Sequence, residues 1–242
     1  MRIQMRVQLA AVAASLSLAT ALSGCSSSAT SNAVGAAASS ASSSSSVPSA
    51  DQLQSALLVA SDLGPDYTAQ PNDTSSPTDT SAPSGCSTLT DLMNAIPSKS
   101  PGAAQGPDAQ VILQGGQAGP FVGEFLSARP QSVLDRNYPA VVDALRGCKQ
   151  LNFPTGTTQV PFQLTDFDMG STGTTAKHMS GTVEGVPVNG YLAVDRLGPT
   201  VAMVYLYLEV AGDSPQTAKS YFDQAVTKAN SVLTGSASAA SV

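Results

Sequence analysis

The chain holds a single histidine, His178, so any nucleophile–His–acid relay would have to run through it. It stands in Lys177-His178-Met179-Ser180, a stretch that reads as a strand. No G-x-S-x-G elbow accompanies it, and no helix-opening S-x-x-K. Asp166 and Asp168 share strand parity and could act as an acid pair, but two acids beside a turn are ordinarily solvated. Two cysteines and one histidine fall short of the four ligands that zinc wants. No glycine loop is built to cradle phosphate, and Asn72-Asp73-Thr74 is an isolated glycosylation sequon. These residues give no catalytic centre, no metal and no cofactor. A hydrolase using His178 stays as the lesser alternative.

A second group of residues suggests binding. In the strand-like stretch 200–210, Ala202, Val204, Leu206, Leu208 and Val210 share one face, and Val201, Met203, Tyr205, Tyr207 and Glu209 share the other. The aliphatic face is expected to meet the helices. Tyr205 and Tyr207 are then expected on the opposite side, joined by Tyr191 from the neighbouring strand, as a ligand-binding groove of adaptable Tyr and Met side chains.

The third reactive position is Cys25. Met1 to Arg6 carries two positive charges, Val7 to Ala21 is apolar and uncharged, and Leu22-Ser23-Gly24-Cys25 closes the segment. An apolar run of about 15 residues is short of the roughly 20 that span a bilayer. The ending resembles the lipobox of bacterial lipoproteins. That resemblance implies a thioether-linked diacylglycerol on Cys25, cleavage before it, and acylation (palmitate) of the new amino group. The membrane contact would then be lipid rather than fold, on the extracytoplasmic face of the cell membrane.

Without residues 1–24 the chain has nine Lys plus Arg against seventeen Asp plus Glu, a net charge of −8. That balance excludes a nucleic-acid partner and a polybasic grip on anionic lipid. Cys86 and Cys148 remain after Cys25, and an even remainder in an exported chain reads as a disulfide.

The elements that must position these residues follow from composition and periodicity. Residues 1–24 read as a lipoprotein signal, 25–50 as a Ser/Ala-rich lipidated tether, 51–234 as one folded domain and 235–242 as a disordered tail. Leu53, Ala56, Leu57 and Ala60 recur at helical spacing with Asp51 as cap, and Gly64-Pro65 stops them. Leu89, Leu92, Met93 and Ile96 predict a short helix after Cys86. Strands are predicted over 109–114 and 121–128. A helical pattern of Val133, Leu134, Tyr138, Val141, Val142 and Leu145, with Pro139 inside it, then runs to Gly147, expected as its cap. Four strands follow, over 159–167, 176–183, 188–194 and 200–210, with Glu184-Gly185 and Leu197-Gly198-Pro199 at turns. The last helix starts at Ser214-Pro215 and carries Ala218, Tyr221, Phe222, Ala225 and Ala229 on one stripe. The order predicts an α+β fold: a central antiparallel sheet, helices packed on one face, N- and C-terminal helices and one disulfide.

The opening Leu57-Leu58-Val59-Ala60-Ser61-Asp62-Leu63-Gly64, the helix running into Gly147-Cys148, the meandering strands and the Ala-rich terminal helix resemble the extracellular sensor domain of the mycobacterial kinase PknH and the lipoproteins built on it, over residues 51–234. The resemblance implies a cleft and a ligand-binding or sensing role. The chain departs from that pattern in having no Trp and at most one disulfide. The reading at this stage is a non-enzymatic lipoprotein binding a small ligand or an envelope component. A protein–protein adaptor in the envelope is the alternative.

Overall fold

The computed structural model describes residues 46–71, 85–87, 106–116, 118–155 and 158–239. Cys25, residues 1–24, the tether up to residue 45 and the expected helix with Leu89, Leu92, Met93 and Ile96 lie outside them.

The folded part begins a little before residue 51. Val47 packs against the core, and Ser49 caps helix α1 (Ala50–Ala56) through a reciprocal pair of bonds with Gln52. The apolar spacing predicts one helix as far as Gly64, yet the chain leaves the helix at Leu57 and restarts as α2 (Ala60–Leu63). The break lets Leu57 and Leu58 both enter the core, and the freed amides find side chains. Leu58 N–H donates to Glu124 and Val59 N–H donates to Asp62, each at 2.8 Å.

Eight strands follow: β1 (Tyr67–Ala69), β2 (Asp108–Gly115), β3 (Phe121–Ala128), β4 (Gln150–Thr155), β5 (Thr158–Phe167), β6 (Thr175–Val183), β7 (Val186–Leu197) and β8 (Val201–Val210). They form one antiparallel sheet in the order β1-β2-β3-β8-β7-β6-β5-β4. Glu184 and Gly185, both at positive φ, make the two-residue turn that sets Val183 opposite Val186. Helix α3 (Gln131–Gly147) lies between β3 and β4, and α4 (Pro215–Ala239) is the last element; it carries residues 235–239, expected as disordered tail, because no proline after Thr234 breaks a helix that the core already holds. β1 and β4 are short edge strands that periodicity passes over.

The two faces of the sheet carry different cores. On one, α1, α2 and α4 bring Leu53, Leu63, Ala218, Phe222 and Ala225 against Val122, Leu126, Tyr205 and Tyr207. On the other, α3 brings Val142 and Leu145 against Leu164, Met179, Leu192 and Val194. The expectation of helices on one face therefore holds for the terminal helices and not for α3. Connectivity gives the reason: β3 sits mid-sheet and β4 at the edge, so their connection crosses the sheet, and the apolar stripe of α3 is buried by crossing over it.

The end of α3 is also built differently from expectation. Gly147 is its last residue and not a left-handed cap; Cys148 follows in extended conformation. The fully buried Lys177 of β6 serves instead. Its ammonium donates to the Arg146 carbonyl at 3.0 Å and to Asp166 at 2.5 Å, placing a cation at the helix C-terminus. Cys148 is paired with Cys86, their Cα atoms 5.8 Å apart.

Candidate functional site

Strand parity holds along β8, with odd residues more buried than even ones, but the two faces are exchanged relative to expectation. Tyr205 and Tyr207 are fully buried beneath α1 and α4, and Tyr191 is buried beside them. They line no groove. The physical reason lies on α4, whose stripe of Ala218, Ala225 and Ala229 leaves room for large rings. Phe222 meets Tyr205 edge to face at 5.4 Å, and Tyr221 meets Tyr67 at 5.7 Å.

Each phenol finds an acceptor, so burial leaves none of these three hydroxyls unmatched. Tyr205 donates to the Ala218 carbonyl at 3.0 Å, Tyr207 to Glu209 at 3.3 Å, and Tyr191 to Asp213. Burial pushes all three phenols well above their ordinary range, with the Asp213 bond adding for Tyr191 and the nearby Glu209 charge for Tyr207.

The other sequence candidates are dispersed. Asp166 points at Lys177, which holds its carboxyl below the usual range through hydrogen bond and charge. Asp168 accepts from the Gly170 amide at 2.7 Å in a local turn, so the two acids form no pair. His178 lies against the Tyr191 ring, with Nε2 3.7 Å from Asp213. That nitrogen is buried and has no hydrogen-bond partner among the described residues. Among the described residues, no group of three or more His, Cys, Asp or Glu side chains is placed to hold a metal, and no helix is long and apolar enough to cross a membrane.

A concave feature of the sheet lies on its aliphatic side. A cavity of about 170 Å³ opens between α3 and strands β3, β7 and β8. Phe125, Val133, Leu134, Val141, Leu192 and Val204 form its apolar walls. Ala202, Val204, Leu206 and Leu208 of β8, assigned by periodicity to the packed core, are only half-buried because α3 covers them incompletely, and Val210 is exposed. Tyr138 lines this cavity from α3, and its hydroxyl is buried without a hydrogen-bond partner among the described residues. Burial, then the Asp195 charge, raise that phenol to about 12.

One buried acid could have been found by parity alone. Glu124 alternates with Val122 and Leu126 on the inward face of β3, where an acid is out of place. It is 2 % exposed. One carboxylate oxygen accepts the Leu58 amide, and the other has no partner among the described residues. Burial raises the carboxyl to about 7, the Leu58 bond opposing it.

No family model matches the chain, and no curated protein matches it. Among solved structures, the lipid transfer and protein localization domain of human StarD13 (DLC2) is similar at 8% identity, over 52% of this chain and 84% of that one, with a TM-score of 0.23. A likeness that slight assigns neither fold nor function.

Proposed function

We propose that this chain is a lipid-anchored, extracytoplasmic protein whose domain binds a small apolar molecule without transforming it. The cavity between α3 and the sheet carries the reading. Protein interiors rarely hold voids larger than a water molecule, and a dry apolar cavity of about 150 Å³ suffices to bind a benzene-sized guest. A space of about 170 Å³ walled mostly by Phe, Leu and Val side chains, with Ser127, Arg129, Asn137 and Tyr138 also in its lining, has room for a guest of that size. The lipobox-like run Leu22 to Cys25 supports the anchor and the extracytoplasmic location.

Native mass spectrometry of the chain purified from its own membrane tests this reading. We expect an N-terminal Cys25 carrying both a thioether-linked diacylglycerol and an amide-linked acyl chain, and a retained small molecule that is lost when Val204→Trp fills the cavity. An unmodified Cys25 would remove the anchor. A retained molecule indifferent to Val204→Trp would remove the cavity as its seat.

A further inference from the structure

We infer that the cavity beneath α3 selects a neutral molecule with one hydrogen-bond acceptor on an apolar body the size of a benzene ring or a short acyl chain; this rests on the cavity reading above. Three observations carry it. The first is the Tyr138 hydroxyl, buried at the cavity without a partner among the described residues. Buried polar groups are nearly always satisfied, and a phenol that keeps its proton is satisfied by an acceptor such as a ketone, ether or ester oxygen.

The second observation is charge. Arg129 is the one ionised side chain lining the cavity. Its guanidinium is already committed, donating to the Ala128 carbonyl at 2.7 Å and the Gly106 carbonyl at 2.8 Å, and pairing with Asp108 at 2.9 Å. Within the lining, a carboxylate guest would lose its hydration and gain no uncommitted counter-charge, and a cationic guest would meet no acid; Asp195 and Arg196, whose charges reach Tyr138, stand outside the lining and oppose each other. The third is size: about 170 Å³ admits a ring or a short chain and excludes a long acyl chain folded inside. Ser127 and Asn137 also line the cavity, so water could compete for the Tyr138 hydroxyl; a guest with an acceptor replaces that bond and adds apolar contacts that water lacks.

Toluene, acetophenone and benzoate form a matched set of probes for calorimetric titration against the full chain. We expect acetophenone to bind about fivefold tighter than toluene, the range of one net hydrogen bond, and benzoate not to bind. Tyr138→Phe should abolish the acetophenone advantage and leave toluene unchanged, and Val204→Trp should block both. Equal binding of toluene and acetophenone, or benzoate as the tightest guest, would overturn the inference and leave the cavity reading standing. An equal loss of toluene and acetophenone in Tyr138→Phe would make Tyr138 a wall and not a donor, which also overturns it. If none of the three binds the unaltered chain, the inference and the cavity reading fall together.

Discussion

Glu124 is held in the fold by one amide and by little else, and its carboxyl sits where charge is expensive. Its value rises from an ordinary 4.5 to about 7, so between those limits the folded chain keeps a proton that the unfolded chain releases. Stability from this group is therefore fully present below about pH 4.5, declines as pH rises through 7, and is flat above. The span corresponds to about 3 kcal/mol. Asp62 and Lys228 face the same region with opposite effects and pair with each other at 2.7 Å. Glu124→Gln keeps an acceptor for Leu58 and removes the titration. We expect the variant to melt above the parent at pH 8 and close to it at pH 4.5. Parallel melting curves across that range would mean that Glu124 stays ionised in the fold. Tyr205 offers a second test at this scale. Its ring is fully buried, whereas Leu206 on the other face is half-buried. Tyr205→Ala should cost about 3–5 kcal/mol in denaturant unfolding and Leu206→Ala less, because a half-exposed site leaves a smaller cavity. The reverse ranking would put the packed core on the aliphatic side.

Among the elements, α3 depends most on a partner outside itself. Its C-terminal carbonyls have no glycine cap, and Lys177 reaches across from β6 to supply a donor and a charge. Lys177→Ala removes both and leaves a void, and should cost about 2–5 kcal/mol. Lys177→Met keeps the apolar stem and should recover part of that loss, with the remainder measuring the cap. If Met is as damaging as Ala, the ammonium does all of the stabilising. The same helix shows where sequence reading succeeds and fails. Its limits, those of β3, β5 and β6 and the start of α4 follow from periodicity, glycine and proline, because those signals are local; the end of α4 lies beyond Thr234, where the Ser/Ala-rich composition reads as tail. The face on which α3 packs does not, since it depends on β4 pairing at the far edge of the sheet. The tyrosine face was misplaced for a related reason. Alternation says which residues share a side, but which side is buried depends on an alanine stripe more than ten residues further along the chain. Tyr138 was legible as one apolar member of a helical pattern; its unmatched hydroxyl emerges only when α3 and the sheet meet.

For the molecule as a whole, the covalent tie is the Cys86–Cys148 bond, which joins positions 62 residues apart. Closing a loop of that length in the unfolded chain is worth about 4 kcal/mol in the chain-entropy model. In a domain of this size that is roughly 8–16 °C in melting temperature. The bond has a second consequence because of where it sits. Cys148 directly follows α3, the roof of the cavity, while Lys177 grips the same helix end from beneath. Loss of the bond loosens one of these two holds. The double variant Cys86→Ser, Cys148→Ser should therefore melt lower by roughly that amount, and should bind toluene more weakly even at temperatures where it remains folded. Reductant should shift the parent toward the variant and leave the variant itself unmoved. A double variant that melts lower yet binds toluene as tightly as the parent would show that the bond stabilises the fold and has no part in shaping the cavity.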